Sequence, residues 1–75
     1  VTVHFSDVGR DKKSWDAEVQ SLSDAMLIRE IRKQGALMSR SIDFAWDDSG
    51  DYARILVGLF RQVGELVVQG GMRIL

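Results

Sequence analysis

Cysteine and proline are both missing from these 75 residues, and each absence removes a class of explanation. Without thiols, neither disulfide staples nor thiolate zinc sites can hold the chain together. Without proline, the punctuation of the chain falls to its seven glycines. Net charge is nearly absent too. Ten Lys and Arg face eleven Asp and Glu, so the whole chain exerts no strong field on DNA, membranes or acidic substrates. No apolar run approaches the roughly 18 to 20 residues that span a bilayer, and no basic-then-apolar leader opens the chain. The expectation is a soluble cytoplasmic protein with no membrane partner.

Chemistry-bearing residues are equally sparse. His4 is the single histidine. A catalytic role requires a carboxylate to orient it and a nucleophile or cleft beside it, and Asp7, three residues on, falls on the other face of a strand. A solvated strand histidine is the better reading. One histidine with carboxylates is a poor ligand set for zinc. Asp47, Ser49 and Asp51 have the alternate spacing of a calcium loop, but Tyr52 stands where that loop needs glycine and Gly58 where it needs a bidentate glutamate. An acidic turn explains the run better. No glycine-rich phosphate loop and no nucleophile elbow occur. The sequence implies no cofactor and no metal, and an enzyme would have to work with carboxylates alone.

What is present is an ordinary globular composition, 45% hydrophobic and 28% charged, in a length that makes one domain over 1–75, with 70–75 readable as a tail. A chain this short buries only about 60% of the surface its unfolded form exposes, so its stability margin is thin. Val1, Val3 and Phe5 alternate with Thr2 and His4, the period of a half-buried strand. Trp15, Ala17 and Val19 alternate in the same way after the polar stretch from Asp7 to Lys13, which predicts a hairpin with a long loop. Ser21 to Asp24 has the Ser-x-x-Asp form of a capping box. Leu27, Ile28 and Ile31 then share a helical face, and Gly35 supplies a stop, so a helix is predicted over about 22–34. Ile42, Phe44 and Trp46 alternate into the turn residues Asp47-Asp48-Ser49-Gly50. A four-residue loop there would pair Phe44 with Ala53, Ile42 with Ile55 and Asp43 with Arg54.

From Tyr52 onward two readings compete. Tyr52, Ile55, Leu56, Leu59, Phe60, Val63, Leu66 and Val67 form one face of a helix. Gly58, Gly64 and the β-branched Ile55, Val57, Val63, Val67 and Val68 favour strands instead, over Ala53 to Val57 and Glu65 to Gln69. Composition outweighs periodicity, and the predicted architecture is a small α+β fold, an antiparallel sheet packed on one helix in the order ββαβββ, with ββαβα as the runner-up.

Function is read from surfaces. Leu22 and Met26 fall roughly opposite the Leu27, Ile28, Ile31 stripe, and Phe60 falls at the tip of a connection in the strand reading. Met, Phe and Arg are enriched at protein interfaces. The expected function is a small non-catalytic interaction module, a homodimer or a domain that docks another protein through apolar side chains or an open sheet edge. The alternative is a small nucleic-acid-binding domain using Arg10, Lys12 and Lys13 beside Trp15, with Arg29, Arg32, Lys33 and Arg40 on and after the helix. Residues 10–40 hold seven basic and five acidic side chains, a modest excess for a dedicated binder.

Overall fold

A computed structural model of the chain describes residues 1–37, 40–58 and 61–69. Five strands and one helix follow in the order ββαβββ: β1 (Thr2–Val8), β2 (Lys13–Glu18), α1 (Asp24–Lys33), β3 (Ile42–Trp46), β4 (Tyr52–Val57) and β5 (Arg61–Gln69). All strands join one antiparallel sheet in the spatial order β2-β1-β5-β4-β3. The helix packs on one face. The runner-up, with a second helix after Tyr52, is therefore set aside: β4 and β5 are strands, as glycine content and β-branching predict.

Alternation determines which side chains the helix covers. Val3 and Phe5 of β1, Ala53 and Ile55 of β4, Leu66 of β5 and Ile42 of β3 point to the helix side and meet Leu27 and Ile31 of α1, all of them buried. Phe5 stacks on Trp15 of β2, with ring centroids 4.6 Å apart and planes 10° from parallel. Thr2, His4, Ser6, Asp16, Glu65, Arg54 and Asp43 occupy the alternate positions, on the face without a helix. An antiparallel sheet tolerates one solvated face in this way.

The helix ends differ from the sequence expectation at one side only. Its N-cap is Ser23, whose side chain accepts a hydrogen bond from the Met26 backbone N–H at 3.3 Å. The capping box expected from Ser21 does not form, because with Ser23 as the cap the N3 residue is Met26, which has no acceptor to return. Leu22 consequently lies at N′, outside the helix, and Leu27 at N4, the spacing of a hydrophobic staple. At the other end Gly35, at φ +68°, follows the cap Gln34. Gly35 N–H donates to Arg32 O and Ala36 N–H to Ile31 O, the paired bonds of a Schellman motif.

Two strand registers also needed the structure. In the β3–β4 hairpin Phe44 pairs with Ile55, Ala45 with Arg54 and Ile42 with Val57, two residues away from the expected register. Asp51 joins the loop, and the pairing closes with Asp47 N–H donating to Tyr52 O at 3.0 Å. Between β4 and β5 the register shifts after Ile55, so that Gly64 faces Ile55 while Gln62 faces Leu56. This bulge lets β5 begin at Arg61, four residues before its predicted start.

Candidate functional site

Two surfaces combine unusual composition with defined geometry. The first is the β3 edge. Among the described residues β3 is paired only on the β4 side, and its sequence Ile42-Asp43-Phe44-Ala45-Trp46 carries a single charge. In an antiparallel ladder, hydrogen-bonded and non-hydrogen-bonded pairs alternate. The Asp47–Tyr52 bond sets that phase, so the peptide groups of Ile42, Phe44 and Trp46 are the ones directed away from β4. Phe44 and Trp46 are half-buried beside them. The opposite edge, β2, is defended differently: Lys13, Asp16 and Glu18 put three charges on six residues, the usual protection against edge-to-edge pairing.

The second surface is an open groove of about 850 Å³ at the end of the sheet. Its walls come from the β1–β2 turn (Gly9, Arg10, Lys12), the stretch after α1 (Ala36, Leu37) and the start of β5 (Arg61 to Glu65). Backbone contacts hold these walls together. Gly9 N–H donates to Val63 O at 2.8 Å, and Lys12 N–H to Gly9 O at 3.1 Å. Gly9 sits at φ +80° against Ala36, whose carbonyl oxygen would lie 1.9 Å from any Cβ placed there. A Cβ on Gly64 would lie 2.9 Å from Val8 Cα, a less severe but still prohibitive approach.

The residues singled out from sequence distribute unevenly between these surfaces. Leu22, outside the helix at N′, is half-buried and packs against the core. Met26, one residue before Leu27 in α1, is also half-buried. Phe60 lies outside the described residues. Of the basic residues, Arg10 and Lys12 line the groove. Lys13 reaches across to α1, where its ammonium donates to Gln34 O at 3.0 Å, a cation placed on the negative end of the helix. Arg29, Arg32 and Lys33 are exposed on α1, and Arg40 is exposed just before β3. The Lys13 contact thus brings the first grouping against the last turn of the helix, where Arg32 and Lys33 stand. Trp15 does not serve as a stacking group beside them: it faces the core against Phe5, with its indole Nε1 buried and without an acceptor among the described residues.

Three features were missed from sequence. Arg61 joins Arg10 and Lys12 at the groove, a convergence visible only once β1 and β5 are neighbours. His4 bonds through Nδ1 to Asp16 across β1 and β2 on the open face, a partner that follows directly from the hairpin register. On the same face Tyr52 donates to Glu65 at 2.7 Å, which pushes the phenol above its ordinary range. Among the described residues, no three His, Asp or Glu side chains gather in a metal-holding arrangement, and no helix is long and apolar enough to cross a membrane. Comparison with family models, with curated proteins and with solved structures found no match.

Proposed function

We propose that this domain works by binding rather than by chemistry, as a protein-interaction module that pairs its β3 edge with the β3 edge of a second copy. The observation that carries this reading is the composition of that edge. The peptide groups of Ile42, Phe44 and Trp46, without a strand partner among the described residues, supply a hydrogen-bonding template, and Asp43 alone among the five residues resists its use. Main-chain pairing gives such contacts their affinity and flanking side chains give them selectivity. A two-fold axis across β3 makes the contact isologous, so one surface suffices for both copies. Phe44 and Trp46 then gain burial that the monomer leaves incomplete. Met26, on the helix that packs nearest β3, flanks the contact, with Leu22 as a supporting core residue.

Ala45→Glu tests this. Ala45 points to the open face opposite Arg54, so a carboxylate there meets a cation within the monomer while adding charge to the edge. Molecular mass measured by sedimentation over a dilution series is expected to show a monomer–dimer equilibrium for the parent protein, with the dissociation constant raised at least about tenfold by the substitution, roughly 1.4 kcal/mol. A parent protein that stays monomeric at high concentration, or a variant that dimerises unchanged, refutes the edge pairing.

A further inference from the structure

The groove at the end of the sheet, on a different surface from the β3 edge, points to a second kind of ligand. We infer that it binds the backbone of single-stranded nucleic acid, with Arg10, Lys12 and Arg61 contacting successive phosphates. Three observations converge on this.

The first is charge without internal partners. Arg10, Lys12 and Arg61 are exposed and line one groove, and among the described residues none of the three is in an ion pair. Of the two carboxylates on the same lining, Asp7 and Glu65, Glu65 accepts the Tyr52 hydroxyl on the open face. Lys13 and Lys33 continue the cationic surface toward the end of α1, joined to the groove through the Lys13 bond to Gln34 O. Cations spread along a surface suit a ligand with repeated negative charge rather than a single anion.

The second observation is rigidity. The walls are fixed by the Gly9 bond to Val63 and by backbone approaches at Gly9 and Gly64 that leave no room for a side chain. Arg10 and Lys12 therefore project from a turn whose backbone is held in place, and Arg61 from a paired strand. Less ordering is required when a ligand arrives.

The third is the apolar lining. Ala36, Leu37 and Val63, all half-buried, lie between the basic walls. Sugars or unstacked bases between phosphates can rest on such a surface, whereas a run of Asp and Glu in a peptide offers nothing apolar at that spacing. With Trp15 turned into the core there is no aromatic platform, so contact with phosphate dominates and sequence preference is expected to be slight.

Fluorescence anisotropy with labelled oligothymidylate of four and twelve nucleotides, at a series of salt concentrations, decides the matter. The longer strand is expected to bind more tightly, with affinity falling steeply with salt at about 0.7 log units per log unit of salt for each phosphate neutralised. Lys12→Gln and Arg61→Gln should each weaken binding about three- to tenfold and reduce that slope by about 0.7. Arg29→Gln, on the solvent side of α1, should leave both nearly unchanged, and circular dichroism verifies that every variant keeps its fold. Four outcomes overturn the assignment: no binding at low salt, binding equally well satisfied by inorganic phosphate, tighter binding of a poly-glutamate peptide of matched charge, or a larger loss from Arg29→Gln than from Arg61→Gln. Ala45→Glu, which addresses the β3 edge, should not alter oligonucleotide affinity, so the two proposals fail separately.

Discussion

Gly9 shows how much a single residue can carry without advertising it. In the sequence it is one glycine in a polar stretch, consistent with any loop. In the fold it holds φ +80° while its backbone touches Ala36, and its N–H bonds Val63, so it joins the β1–β2 turn to the helix exit and to β5 at once. The need for glycine was not legible because the obstructing carbonyl comes from a distant part of the chain. Gly9→Ala would combine an unfavourable left-handed backbone with a collision against main chain that no rotamer relieves, and is expected to destabilise the protein by more than about 1 kcal/mol. A chemical-denaturation midpoint measures this. Gly35→Ala makes a useful comparison, since a Cβ there meets nothing within 4 Å and only the positive φ is penalised.

At the scale of elements, the β3–β4 hairpin separates what a pattern dictates from what a turn dictates. Alternation placed Ile42, Phe44, Ala53 and Ile55 on the core side correctly, yet the expected partners were displaced by two residues. A shift of two preserves every face, so hydrophobic patterning is blind to it. The turn decides instead. Asp47 accepts the Ser49 hydroxyl at 2.7 Å and the Ser49 N–H at 3.1 Å, and Ser49 Oγ accepts the Asp51 N–H, which winds Asp51 into the loop. The helix start is a parallel case: two serines stood near the right place, and only the geometry distinguishes Ser23 as the cap. The Asp47 bonds have a pH signature. The Ser49 hydroxyl, chiefly, holds the Asp47 carboxyl below its ordinary range. A depressed folded value contributes stability above the unfolded aspartate range, and that contribution is lost as pH falls through the folded value. Ser49→Ala should therefore raise the Asp47 value measured by NMR titration. It should also lower stability near neutrality, with the difference narrowing as pH falls through the folded Asp47 value to the part that the Asp51 N–H bond contributes.

Among the described residues the molecule is a sheet covered on one side by a single ten-residue helix, and the candidate sites follow from that economy. Fold class was legible because β-branched residues and glycines after Tyr52 disfavour a second helix, and because the one helix has a clear apolar stripe and stop. The surfaces were legible only in part. Basic residues and an open edge could be named from sequence, but the meeting of Arg61 with Arg10 and Lys12 depends on β5 lying beside β1, and the choice of β3 over β2 as the undefended edge depends on strand order. Helix attachment is the remaining question at this scale. Leu27 and Ile31 are the only fully buried residues of α1, so these two, with half-buried Ile28 beside them, fasten the layer that completes the core. A domain of 75 residues has a total stability of about 4 to 11 kcal/mol, while a buried Leu→Ala change costs about 2 to 5 kcal/mol. Leu27→Ala should consume a large share of that margin and lower the melting temperature by more than about 10 °C, at 4 to 8 °C per kcal/mol for a domain of this size. Leu22→Ala, at the half-buried staple position, should cost less. Thermal circular dichroism compares them directly. A Leu27→Ala protein that melts within a few degrees of its parent would mean that the sheet stands without the helix, contrary to the packing described above.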